Sequence, residues 1–244
     1  MSEAASALSE REQALVAAAL RVYRRYQVEI VEGLGLCPWA ERARLDGHVR
    51  ERVVLLREPD AVAAVDALAA LIEDPQVEIG LLLFPRLRLG RLDFERFVAR
   101  VRDEHTRRDE APADAGGARG GARMALAAFH PDAPPELSEA ARLVPFLRRS
   151  PDPTIQLVRR SVLESVRATD EAHGTGLVDL ATLDVEAFLA APAQRPIYEN
   201  VAAHNLATVT RLGPDAVEAI LCDIRAERDA LYEALGESAA ARAQ

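Results

Sequence analysis

Four residue types able to do chemistry fall where regular sequence breaks. The apolar run Met124-Ala-Leu-Ala-Ala-Phe129 stops at once on His130, Pro131 and Asp132. An imidazole at the end of a buried strand can serve as general base, general acid or anion donor. The same ring can instead cap backbone groups at the strand end, with Asp132 capping the turn that follows. Cys37 lies in Gly33-Leu-Gly-Leu-Cys-Pro-Trp-Ala40, between a helix end and Pro38. A thiol there becomes a nucleophile if a cation or a base lowers its pKa. With Leu34, Leu36 and Trp39 around it, it can equally be a small hydrophobe that plugs the top of the domain.

Arg148, Arg149 and Arg159 surround Ser150-Pro-Asp-Pro153. Their forked donors suit a carboxylate or phosphate, although Asp152 opposes an anion at the same place. Arg159 falls on or beside an apolar stripe, and a half-buried guanidinium needs an anionic partner, from a ligand or from Glu164 or Asp132. Arg148 is expected in solvent. Asn205 shares a helical stripe with Tyr198, Val201, Val209 and Leu212, so its amide either ties the helix to a loop or contacts a ligand. Cys37, His130 and Asp132 have the residue types of a metal site, but no local spacing such as HxxxH supports one. Cys222, near Ile220 and Ile224, is expected in the core, and His48, His105, His173 and His204 carry no distinct signal.

The elements that must position these residues follow from periodicity. Ser9 and Glu12 fit a capping box, and the apolar spacing behind them predicts a helix to about Glu32, ended by Gly33 and Gly35. A strand at Arg52–Arg57, a helix capped by Asp60 and closed by Pro75, a strand at Val77–Phe84 and a helix from Asp93 predict a parallel sheet. The Ala, Gly, Asp and Pro residues from Asp109 to Gly121 read as a surface connection, before the strand that ends at Phe129. Parallel strands would put Phe84-Pro-Arg86 and Phe129-His-Pro131 at carboxyl ends, where open α/β sheets bind ligands.

Beyond the sheet, Ser138 to Leu147 reads as a short helix, and Asp152 caps another whose stripe is Ile155, Val158, Val162 and Val166. Leu177–Leu180 is an edge strand or the lead into a helix at Asp184–Ala190, and two helices, about Pro196–Leu212 and Pro214–Leu235, finish the chain before a fraying tail. The expected fold is α/β: a small, mostly parallel β-sheet flanked by helices, with a helical C-terminal extension. All of it forms one domain, with the sheet core at about 50–131 and the helical part at about 138–235.

Composition narrows the partners. A net charge of −9 argues against nucleic acid and anionic membrane as partners. Two distant cysteines suggest neither a disulfide framework nor a zinc site, and no apolar stretch reaches the roughly 18 residues of a membrane span. The N-terminus lacks the pattern of a signal peptide, so a soluble cytoplasmic protein is expected. Neither GxxxxGK(S/T) nor GxGxxG follows a strand, so no cofactor is indicated.

Four motifs then stand in order: Gly33 to Ala40, Ala127-Ala-Phe-His-Pro131, Arg149-Ser-Pro-Asp-Pro-Thr-Ile-Gln-Leu-Val-Arg159, and His204-Asn-Leu-Ala-Thr-Val209. Together they resemble the bacterial domain of unknown function 1415 family, with its GLxLCPFA-like turn, FHP strand end, NR(A/S)PYPTxxLLRE-like segment and RNIATL-like helix. The resemblance spans about residues 15 to 212 and implies that Cys37, His130, Arg149, Pro151, Pro153, Arg159 and Asn205 occupy motif positions. It brings no activity with it. Departures are Trp39 for Phe, Asp152 for Tyr, Arg160 for Glu and an insertion near Gly174 to Pro192.

The function expected from these residues is an enzyme acting on a small anionic metabolite. Arg149, Arg159 and Asn205 would hold the substrate, with His130 as acid/base and Cys37 as nucleophile or pocket wall. The alternatives are a non-catalytic ligand-binding or protein-assembly module, and a metal-dependent form of the enzyme.

Overall fold

A computed structural model describes residues 8–37, 40–110, 124–133, 138, 140–162 and 197–237. Helix α1 spans Glu10–Arg25, and the Ser9 side chain and Glu12 close the expected capping box. It runs directly into a π-helical segment, Tyr26–Glu32. A short helix α2, Ala40–Leu45, follows, which periodicity did not indicate. Strand β1 (Val49–Val53), helix α3 (Ala61–Ile72), strand β2 (Ile79–Leu83), helix α4 (Arg91–Glu110) and strand β3 (Met124–Phe129) come next. Then come helix α5 (Ala140–Leu147), strand β4 (Thr154–Arg159), helix α6 (Ile197–Leu212) and helix α7 (Pro214–Ala234). The expectations for 111–123, Leu177–Leu180, Asp184–Ala190 and the tail lie outside the described residues.

The sheet is mixed and not mostly parallel. Its order is β1-β2-β4-β3, with β1 parallel to β2 and β4 antiparallel to both β2 and β3. The three anticipated strands do share one direction, but β4 runs between two of them. The helix expected from Asp152 is this fourth strand. Ser150 and Asp152 each precede a proline, which pushes them toward extended backbone, and the β-branched Thr154, Ile155 and Val158 continue it. Ile155 and Leu157 are fully buried while Gln156 and Val158 are half-exposed, an alternation of two. In a helix Ile155 and Val158 would share a stripe, whereas in the strand they lie on opposite faces, and Ile155 shares its face with Leu157 instead.

Strand β1 lies earlier than Arg52–Arg57 and is not buried on both faces. It is an edge strand, so Arg50 and Arg52 can point to water while Val49 and Val53 pack inward. After Val54, whose N–H still bonds the Leu83 carbonyl at 2.8 Å, the chain leaves the sheet and carries Arg57 into the cleft lining.

Burial on both faces fixes the layers. Ile79, Leu81 and Leu83 of β2 join Phe129 against Tyr26, Ile30, Phe146, Val209 and Leu221 on one face. Leu82, Ile155, Leu157 and Met124 face Leu68, Phe94, Phe97 and Val101 of α3 and α4 on the other. Phe84, Phe94 and Phe97 meet edge-on or tilted, with centroids 5.8–6.2 Å apart. At Gly80 the two central strands come so close that a Cβ would lie 2.8 Å from the Leu157 Cδ1. Among the described residues no helix is long and apolar enough to cross a membrane.

Candidate functional site

The carboxyl ends of β1, β2 and β3 and the start of β4 share one edge of the sheet, because Leu83 and Phe129 both pair with Thr154. A cleft of about 680 Å³ opens there. Ser9, Arg11 and Glu12 from the start of α1 line it, with Arg57 and Glu58 after β1, Arg86, Arg88 and Leu89 after β2, and Gly236 and Glu237 after α7. Four guanidinium groups and three carboxylates therefore meet in one concavity.

These charges are unequally engaged. Arg86 binds Glu237 through Nε at 3.1 Å and Nη2 at 2.6 Å, and Glu12 through Nη1 at 3.0 Å. Those contacts with Arg86 hold the Glu237 carboxyl below its usual range. Arg11 adds a looser contact to Glu237 at 3.9 Å. Arg57 is exposed and forms no ion pair with a described residue. The Arg88 guanidinium is pushed down, first by burial and then by the Arg228 charge, against the opposing pull of Asp152, Tyr232 and Glu237. An anion placed between Arg57 and Arg88 would relieve that strain on a cation.

His130 positions one wall of this cleft. Its Nε2 lies 3.0 Å from the Leu89 carbonyl oxygen, which can only accept, so Nε2 carries the hydrogen. Nδ1 accepts the Asp132 backbone N–H at 3.2 Å, and the ring packs tilted on Phe94 with centroids 5.7 Å apart. Both nitrogens are thus engaged by backbone, which leaves neither for the Cys37 thiol. Burial is the largest cause that lowers the His130 pKa, more than the Leu89 bond and the Asp132 charge raise it.

The sign of the resulting pH effect is definite. The folded pKa lies below the ordinary value of 6.5, so the unfolded chain takes up this proton first. The neutral ring's contribution is complete above about pH 6.5 and is lost as pH falls below it toward the lowered folded value. We expect the thermal midpoint of the wild type to fall more steeply than that of His130→Gln between about pH 7 and about pH 5.5. Parallel slopes for the two proteins would show that the ring is not held neutral by folding.

Arg149 is brought to the same region. It is 8% exposed, its Nε donates to the Pro131 carbonyl at 3.2 Å, and its two Nη groups clasp the Glu218 carboxylate of α7. Its guanidinium also lies over the Phe146 ring, and contact with Arg149 is the main reason the Glu218 carboxyl is lowered. Arg148, expected in solvent, is instead half-buried over the Phe129 ring, and its backbone carbonyl accepts the His130 N–H. Burial lowers its pKa.

Arg159 is elsewhere. Five residues of extended strand, about 17 Å, separate it from Thr154. At that far edge it donates to the Val77 and Asp74 carbonyls at 2.8 and 3.1 Å, bracing the turn before β2. The expected clustering of Arg148, Arg149 and Arg159 at one helix start fails because that helix is a strand. Cys37 and Asn205 form a third group: Asn205 Nδ2 donates to the Leu36 carbonyl at 3.1 Å, beside the half-buried Cys37. Cys222 is exposed and not core; Leu221 and Ile224 hold the buried stripe, and its thiol meets Glu218 and Arg225. Among the described residues no three His, Cys, Asp or Glu side chains converge as a metal cage, so Cys37, His130 and Asp132 are not assembled.

Asp152 is the residue that sequence reasoning placed furthest from its role. Its carboxylate is fully buried behind the cleft, where it accepts Arg228 Nε at 2.8 Å and the Tyr232 hydroxyl at 2.6 Å. Its carbonyl takes the Ser150 and Thr154 hydroxyls at 2.5 and 2.9 Å. Burial first, and then Asp152, push the Tyr232 hydroxyl pKa far up. The signal that could have marked the cleft was local: Arg57, Arg86 and Arg88 all follow directly on strand-like apolar runs. All 30 basic residues are arginines, so no side chain here can form a Schiff base and every such cation is charged at any working pH.

A family model described as Protein of unknown function (DUF1415) matches residues 19–175. No curated protein and no solved structure matches the chain.

Proposed function

The chain belongs to that family, and we propose that it binds a small carboxylate- or phosphate-bearing molecule in the cleft at the carboxyl edge of β1 and β2. The observation that carries this reading is the delivery of Arg57, Arg86 and Arg88 from successive strand ends to one concavity. Two further arguments support it. Ligands of open α/β sheets gather outside the carboxyl ends of the strands, and β1 and β2 are the parallel pair. The cleft volume also falls within the range typical of small-molecule sites.

In this reading Arg57 and Arg88 are the ligand holders. Arg11 and the Ser9 end of α1 add positive potential from the opposite wall. His130 is a positioning residue that fixes Leu89 and hence the loop carrying Arg88. Arg149, clamped by Glu218, ties that edge to α7.

The test is a thermal-shift panel of phosphate, pyrophosphate, di- and tricarboxylates and nucleotides. An anion at about 100 times its Kd should stabilise the fold by about 2.7 kcal/mol, or roughly 5–10 °C for a chain of this size. Arg57→Gln and Arg88→Gln should each lose that rise, measured against the variant's own ligand-free midpoint. A panel that moves nothing, or a rise unaltered in both variants, overturns the reading and favours a protein-assembly module.

A further inference from the structure

The charges that line the cleft narrow its ligand further than the arginines do by themselves. Arg11, Arg57, Arg86 and Arg88 bring four positive charges against the three negative ones of Glu12, Glu58 and Glu237, which leaves one net positive charge. Two of the three carboxylates are neutralised within the protein. Glu237 takes Nε and Nη2 of Arg86 at 3.1 and 2.6 Å, and Glu12 takes Nη1 at 3.0 Å. The other Glu12 oxygen accepts the Ser9 backbone N–H and hydroxyl at 3.2 and 2.9 Å. The Arg86 and Glu237 side chains are only 10% and 7% exposed, so this group is a shielded part of the wall.

Glu58 differs from the other two. It is exposed, lines the same cleft and forms no hydrogen bond or ion pair with a described residue. The chain bends at Arg57 and Glu58, so two neighbours that an extended strand would turn apart both reach the lining. Asp60 anchors the backbone just beyond this bend. Its carboxylate accepts the Val62 and Ala63 N–H groups at 2.9 and 3.1 Å as the N-cap of α3, and it does not line the cleft. A guanidinium and a carboxylate that do not pair with each other therefore stand on adjacent residues, with Cα atoms about 3.8 Å apart.

We propose that the ligand of this cleft is a small zwitterion: an acid that also carries an amino group, with its carboxylate or phosphate on Arg57 and Arg88 and its ammonium on Glu58. This rests on the anion site described above and specifies its ligand. An alkylammonium offers three N–H donors and no acceptor, which suits a carboxylate whose oxygens are not engaged by the protein. A polyanion without an amine would instead be repelled by Glu58 at short range. The closeness of Arg57 and Glu58 favours a compact molecule with its amine and anion a few bonds apart. An ammonium with two carboxylates, or with one doubly ionised phosphate, has one net negative charge and so balances the lining.

The test is calorimetric titration of matched pairs that differ only in the amine: succinate and aspartate, glutarate and glutamate, ethyl phosphate and phosphoethanolamine. Each is titrated at constant ionic strength and about pH 8, where amines are protonated and phosphomonoesters doubly ionised. In at least one pair the amino compound should bind wild type about tenfold tighter than its partner, and the pair that does so distinguishes carboxylate from phosphate. Glu58→Gln should weaken the amino compound and leave its partner unchanged or tighter, because it removes an attraction from one and a repulsion from the other. A bracing role for Glu58 would move both members the same way. Binding of amine-free anions alone, equal affinity within every pair, or a preference that Glu58→Gln leaves intact overturns the zwitterion and leaves the anion site standing. No response to either the pairs or the wider anion panel removes the anion site and the zwitterion together.

Discussion

Replacement of Asp152 by Ala is expected to cost about 3–5 kcal/mol, the range for removing one partner of a buried ion pair. The carboxylate is completely shielded and holds both Arg228 and Tyr232 of α7. Burial by itself would lower the Arg228 pKa, yet Asp152, Tyr232 and Asp229 together more than reverse this, so the charges depend on each other. Without Asp152 a largely buried guanidinium keeps, among the described residues, Asp229 at 2.7 Å and the Tyr232 ring at 4.8 Å. The thermal midpoint should fall by roughly 6–20 °C. Combining Asp152→Ala with Arg228→Met should recover part of the loss, because the stranded charge goes with the arginine. A loss below about 1 kcal/mol, the range of an exposed pair, would contradict the geometry.

His130→Ala is the second large effect, at about 2–4 kcal/mol. The ring is 4% exposed and packs on Phe94, and its removal leaves a hole together with an unpaired Leu89 carbonyl and Asp132 N–H. Its consequence reaches the cleft. Leu89 lines that cleft and the loop before it carries Arg88, so any anion-induced rise in the midpoint should shrink in His130→Ala even at a temperature where the variant is fully folded. A variant that loses stability but keeps the full anion response would limit His130 to packing.

The sheet edge that bears the cleft was more legible than the cleft's lining. Apolar runs that end in Phe84-Pro-Arg86 and Phe129-His130 marked the carboxyl edge correctly, since helical crossovers between these strands give them one direction. Strand β4 was hidden because a six-residue segment after two prolines fits either period, and only the vacancy between β2 and β3 decides for extended backbone. The partners of Asp152 lie 76 and 80 residues away, and that of Arg149 lies 69 away. No local spacing encodes such pairs. The fold accommodates the charge at 152 with Arg228. Asn205 was legible as a polar residue on an apolar stripe. Cys222 misled because its apolar neighbours suggested burial, whereas one step of about 100° from Leu221 turns it to solvent.

The most direct measurement is calorimetric titration, at constant ionic strength, of the most stabilising anion of the panel into wild type and into the Arg57→Gln/Arg88→Gln double variant. A charge-assisted hydrogen bond contributes about 1.5–3 kcal/mol, so loss of two should weaken Kd at least about 100-fold. That result, at a temperature where the variant is fully folded, is the one expected. Equal affinity in the two proteins would place the anion elsewhere and contradict the assignment of the cleft.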